Sequence, residues 1–180
     1  MSIMPLPDAD TEVKTSSEAL AHPSSAAAET LVNHYYQAVN NHSSLEAFYI
    51  NSSPRYSIAA DISINGQVVA TPAQYSTLLD GQGSAVHYEI ESMDAHVINP
   101  SSAYGAPENV HDNPKVEKNG GRMSIVVTII GKVQFGKGRE SPQKMFNETF
   151  VLVPNWDAMA RNPPRGAKRW LIMSQNFRAL

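Results

Sequence analysis

The residues of this chain that could do chemistry are few. Asp94 and His96 stand two apart in VHYEIESMDAHVI, Val86 to Ile98. If that run is a strand, both side chains leave the same face, where a carboxylate beside an imidazole could act as a proton-transfer pair. The six His are scattered, and none falls in a metal-ligand spacing such as His-Glu-x-x-His. There is no Gly-x-Ser-x-Gly elbow, phosphate loop or dinucleotide fingerprint, so no cofactor or metal is implied. The sharper concentration is cationic. Arg161, Arg165, Lys168 and Arg169 cluster with Trp156 nearby, and Lys132, Lys137 and Arg139 sit on a neighbouring hairpin. Such loops could neutralise a few phosphates and give weak, salt-dependent RNA binding; basic loops kept polar for solubility are an equal reading.

The elements that must position any site lie mostly in the last third. SIVVTIIGKVQF (Ser124 to Phe135), MFNETFVLV (Met145 to Val153) and RWLIMSQNF (Arg169 to Phe177) are rich in β-branched and aromatic residues that suit a pleated surface. Alternation divides each run into two sets. One set is apolar: Ile125, Val127, Ile129, Val133 and Phe135; Phe146, Phe150 and Leu152; Leu171, Met173 and Phe177. Helices should cover that face. The other set reads Val126, Thr128, Ile130; Asn147, Thr149, Val151; and Ile172, Ser174, Asn176, Arg178. It is too apolar for plain solvent and too polar for a core, which is the composition of a protein–protein contact. A solvated face with stray aliphatics is the bland alternative.

Composition bounds the class. At 180 residues, 42% hydrophobic and with a formal net charge of −3, the chain fits one globular domain with no global pull toward nucleic acid or anionic membrane. No apolar run approaches the roughly 20 residues needed to span a bilayer. The start, MSIMPLPDADTEVK, lacks the basic-then-apolar pattern of a secretory signal. With no Cys, disulfides and thiolate metal sites are excluded.

In chain order, residues 1–25 read as a flexible tail and 26–180 as the domain. Ala28, Leu31, Val32, Tyr35 and Val39 form one helical stripe, ended by Asn40, Asn41 and His42. Ser43 and Glu46 have capping-box spacing, which predicts a second helix up to Pro54. Tyr56 to Ile64 alternates as a half-buried strand, Asn65-Gly66 turns it, and Gln67 to Ala70 returns. Thr71-Pro72 starts a short helix that stops at Gly81. Residues 99–122 and 155–168 read as insertions. Helices first and a run of antiparallel strands afterwards predict an α+β fold, a curved antiparallel sheet wrapped cone-like around the helices.

VNHYYQAVNN (Val32 to Asn41), LEAFYI (Leu45 to Ile50), the Ser92-Met93-Asp94 step, VTIIGKVQF (Val127 to Phe135), FNETFVLVP (Phe146 to Pro154) and NFRAL (Asn176 to Leu180) occur in an order that resembles the nuclear transport factor 2-like family. Within it they look most like the small accessory subunit of the heterodimeric mRNA export receptor, in a fungal-type version with insertions. The resemblance implies a nuclear and pore-shuttling adaptor, not an enzyme, that dimerises with the receptor's large subunit through the outer sheet face. With that partner it would support binding to nucleoporin phenylalanine-glycine repeats. It places the family's terminal Phe-Arg on Phe177 and Arg178, the Arg meeting a carboxylate of the partner. Two other roles exist for this architecture. One is a homodimeric Ran import factor, which uses an acidic cavity edge where this chain has Lys137-Gly138-Arg139. The other is an isomerase or dehydratase working from the cone's mouth, for which Tyr35, Tyr36, Asp61, His87, Asp94 and His96 are the candidates. Asp94, however, falls on the Ser-x-Asp step, which the family carries without catalysis. Bulky Phe146, Phe150, Tyr35 and Tyr75 predict a plugged cone.

Overall fold

The computed structural model describes residues 10–98 and 124–180, with side chains in the first helix from Ser25 onward. Helix α1 runs Asp10–Asn40 and α2 runs Pro72–Gly81. The strands are β1 Asp61–Ile64, β2 Gln67–Val69, β3 Val86–Ile98, β4 Ser124–Phe135, β5 Gln143–Pro154 and β6 Trp170–Ala179. They form one sheet in the order β2-β1-β6-β5-β4-β3. Three long antiparallel neighbours, β3 to β5, join β6 through the ladders β4–β5 and β5–β6. The β1–β6 pair is parallel, so the sheet is mixed rather than wholly antiparallel. Irregular register between Ile90 and Ser92, and between Val151 and Leu152, marks the bulges that bend it.

The core follows from alternation. Ile125, Val127, Ile129, Phe146, Phe150 and Leu152 face inward with no solvent exposure, against Val32, Tyr35, Tyr36 and Val39 of α1. Burying this much aromatic and aliphatic surface is the main drive to fold. Ring geometry adds to it: Phe146 stacks on Phe177 at 5.2 Å and on Tyr36 at 5.7 Å. Asn40, the last residue of α1, gives Nδ2–H to the Tyr88 carbonyl at 2.9 Å and takes the Tyr88 N–H on Oδ1 at 2.8 Å, tying the helix end to β3. The Asn65-Gly66 turn has φ of 51° and 82°, as the hairpin requires, and Thr71 caps α2 by accepting the Gln74 N–H at 3.2 Å.

Four expectations change. Helix α1 begins at Asp10, within the stretch read as a tail: extending a helix costs far less than starting one, which carries it through a run that holds four Ser and Pro23. The helix expected from Ser43 is instead two 3-10 turns, Glu46–Phe48 and Ile50–Ser52. The residue before the first turn is Leu45, without a side-chain cap, so the Ser43–Glu46 spacing makes no capping box. The strand expected from Tyr56 starts only at Asp61. Upstream, the Ala60 N–H goes to Asn51 Oδ1 at 3.0 Å and the Tyr56 hydroxyl to the Pro154 carbonyl at 2.6 Å, which diverts the segment from the sheet. The parallel β1–β6 pair is the fourth. The insertion at 99–122 lies outside the described residues.

Candidate functional site

Strand register assembles the outer face into rows. Ser92, Ile130, Asn147 and Arg178 form the first; Asp94, Thr128, Thr149, Asn176, Ser63 and Val68 the second; His96, Val126, Val151, Ser174 and Asp61 the third. Cross-strand neighbours in one row have Cβ atoms about 5 Å apart, so the face is continuous. Its middle is small and hydroxylated, Thr128 beside Thr149, with the aliphatics Val126, Ile130 and Val151 around it. Arg178 stands at one end. Its backbone is not frayed: the Asn65 N–H bonds the Phe177 carbonyl at 2.8 Å, the Ala179 N–H bonds Asn65 Oδ1 at 2.8 Å, and the Leu180 N–H bonds the Met145 carbonyl at 2.8 Å. The guanidinium reaches toward the hairpin tip, where a Cβ on Gly66 would lie 4.0 Å from Nη2. Among the described residues it meets no carboxylate.

Ile172 is the exception among the expected face residues. It is wholly buried and pairs with Leu152 of the core. The bulge at Met173 inserts one residue between Ile172 and Ser174, so alternation changes phase there and Ile172 turns inward. Sequence reasoning also missed residues on this face. Val68, 81% exposed, extends the middle row onto β2, and Met145 with Leu180 adds exposed apolar surface beside the first row. Simple alternation finds Met145, but Val68 needs the β1–β6 pairing.

The proton-transfer candidates divide. His96 Nε2 lies 2.9 Å from Asp94 Oδ2, but both side chains are exposed on the outer face at the β3 edge, away from the interior. Asp61 and His87 are exposed on the same side. Tyr35 and Tyr36 are buried and join a network that sequence reasoning overlooked. Its centre is Glu148, 1% exposed, whose shared parity with Phe146 and Phe150 was the available signal. Glu148 accepts from the Tyr36 hydroxyl and from Gln175 Nε2 at 2.5 Å. Gln175 Nε2 also donates to the Tyr35 hydroxyl at 2.9 Å, and the Tyr49 hydroxyl donates to Gln175 Oε1 at 2.5 Å. Burial pushes the Glu148 carboxyl up to about 7, against the downward pull of the Tyr36 and Gln175 hydrogen bonds. Burial likewise raises Tyr35 and Tyr36 well above the usual phenol range. Phe146, Phe150, Tyr35 and Tyr75 fill the space around this network.

The second insertion is pinned at its base and open at its tip. The Asn155 N–H bonds the Arg169 carbonyl at 2.9 Å, Asn155 Nδ2 bonds the Lys168 carbonyl at 2.7 Å, and Trp156 is buried. Arg161, Arg165 and Arg169 are exposed, whereas Lys168 Nζ rests over the Phe48 ring, 4.2 Å from its centroid. Among the described residues no cluster of His, Asp or Glu has the geometry to hold a metal.

A bent sheet wrapped on a helix, with a filled interior and a partly apolar outer face, defines a class that comparison with solved structures makes definite. The chain belongs to the nuclear transport factor 2-like (NTF2-like) family. It is 34% identical, with a TM-score of 0.78, to a chain in the Chaetomium thermophilum Mex67 NTF2-like domain complexed with Mtr2, covering 88% of this chain and 99% of that one. A chain of the structure of a Sac3N peptide bound to Mex67:Mtr2 matches at 32% identity and TM-score 0.78, with the same coverage. The particular protein it resembles is Mtr2, whose own structure matches at 31% identity and TM-score 0.74 over 88% of this chain and 99% of that one. No protein-family model matches the chain, and no curated protein sequence does.

Proposed function

We propose that this chain is a non-enzymatic adaptor of the Mtr2 kind. It packs its outer sheet face against the NTF2-like domain of a Mex67-like large subunit and so helps to form an mRNA export receptor that works in the nucleus and at its pore. The observation that carries this reading is the continuous outer face, aliphatic and hydroxylated in its middle and ending in an Arg178 anchored on both sides of its backbone. A contact of ordinary size would bury about 800 Å² on each partner. Its aliphatic rows would supply the affinity, and Arg178, paired bidentately with a partner carboxylate, the orientation. In this reading the assembled receptor, shuttling between nucleus and cytoplasm, engages nucleoporin phenylalanine-glycine repeats, and RNA contact is at most weak. The filled interior favours an adaptor over a dehydratase or isomerase. The basic Lys137-Gly138-Arg139 turn disfavours a Ran importer.

Co-expression with the large subunit and affinity purification provide the test. The wild-type chain should co-elute in equal amount, and Arg178→Asp should lose the partner while its own circular dichroism and melting stay near wild type. Co-elution of Arg178→Asp at the wild-type ratio would remove Arg178 from the interface.

A further inference from the structure

The basic cluster of the second insertion borders a groove that the adaptor reading leaves unused. The groove has a volume of about 410 Å³, with Leu31 of α1, Phe48 and Ala167 among its apolar lining and His34, Lys168 and Arg169 also in its wall. That is the size of a small-ligand or side-chain pocket. Among the described residues nothing compensates the charge of Lys168. The insertion's one acid, Asp157, is taken by Arg55 at 2.7 Å, and Lys168 has no carboxylate partner among the described residues. Single-stranded nucleic acid would need open aromatic faces for its bases. None is available here: Trp156 and Trp170 are each 3% exposed, and Phe48, 4% exposed, is covered by Lys168.

We propose that this groove docks an acidic linear peptide, one large apolar side chain entering between Leu31 and Ala167 while a flanking carboxylate meets Lys168. Lys168 at the rim favours an acidic segment over a neutral apolar one, which gains no ion pair there, and the apolar slot disfavours a polyanion without an apolar anchor. Helix α1 covers the inner side of the sheet, so the peptide and a partner on the outer face do not compete. This inference stands on the groove alone and survives if the outer-face reading fails.

Fluorescence anisotropy with the full chain provides the test. The probe is a fluorescein-labelled peptide, Glu-Asp-Glu-Leu-Phe-Asp-Glu-Asp. The comparison probes are the same peptide with Ser replacing Leu and Phe, and an oligouridine of matching charge. Ala167 is exposed, so Ala167→Glu places a carboxylate in the groove without disturbing the core. The acidic peptide should bind the wild type, and Ala167→Glu, Lys168→Glu and the Ser peptide should each weaken binding about tenfold or more. Arg178→Asp should leave it unchanged. Tighter binding of oligouridine than of the peptide, equal binding to Ala167→Glu, or no anisotropy rise up to the solubility limit would each overturn the proposal.

Discussion

Around Glu148 the hydrogens can be followed one by one. The Tyr49 hydroxyl is committed to Gln175 Oε1, so in its 3.1 Å contact with Tyr35 it accepts and Tyr35 donates. Gln175 uses both amide hydrogens, on Tyr35 and on Glu148, and Tyr36 uses its own on the other carboxyl oxygen. Every donor is satisfied when Glu148 is a carboxylate. When Glu148 is protonated, the Tyr36 hydroxyl must turn and accept. The two states compete because burial opposes the charge that the hydrogen bonds favour. The consequence for stability has a definite sign. The carboxyl titrates at about 7 folded and near 4.3 unfolded, so between those values the native state binds the extra proton. That contribution, on the order of 3 kcal/mol, is fully present below about pH 4.3 and is lost as pH rises through about 7. Urea unfolding from pH 5 to 8 should show wild-type stability falling across this range relative to Glu148→Gln, whose profile should be flatter. Parallel profiles for the two proteins would mean that Glu148 is not held near neutrality.

At the scale of elements, β4 passes through the tightest point of the fold at Gly131. A Cβ there would lie 2.4 Å from the Glu89 carbonyl of β3 and 2.5 Å from the Phe146 ring of β5. Neither can give way, because one is sheet backbone and the other is stacked between Tyr36 and Phe177. Gly131→Ala should therefore cost about 1–3 kcal/mol and shift the chemical-denaturation midpoint down. An unchanged midpoint would show that the ring can move aside. What the sequence made legible at this scale follows from what alternation encodes. Strand β4 was readable because no bulge interrupts its alternation, and the Asn65-Gly66 turn because it carries its own turn chemistry; in β3 the bulge at Glu91 changes the phase of alternation but leaves the bounds intact. Strand β6 was readable in position but not in phase, because Trp170, Leu171 and Ile172 are all buried and give no alternation from which to locate the bulge at Met173. The 3-10 turns after α1 were misread because Leu45, Phe48 and Tyr49 have helical spacing, although they bury in different places. Phe48 meets Tyr35 and Lys168, while Tyr49 joins the Gln175 network.

For the whole molecule, the two sides of the sheet have different requirements. The inner side is largely covered, by aromatic rings, helix α1 and the polar network around Glu148, with Val97 and Phe135 exposed only towards the strand ends. The outer side presents Val68, Ile130 and Met145 at 81%, 42% and 40% exposed, with Leu180 at 79% beside them. A partner that binds only the folded chain stabilises it by mass action, by about 2.7 kcal/mol when its free concentration is a hundredfold above Kd. For a chain of this size that corresponds to a rise in Tm of roughly 5–10 °C. Titrating the NTF2-like domain of the large subunit into this chain should raise the Tm progressively. Val151→Asp places a carboxylate in the middle of the face, where the chain alone leaves it partly wet and the complex would bury it. That variant should melt within about 2 °C of wild type alone yet show no rise with the partner. A rise equal to wild type would mean that the partner docks elsewhere. A large drop in the variant's own Tm would mean that the face is already covered in the isolated chain, by a second copy of itself.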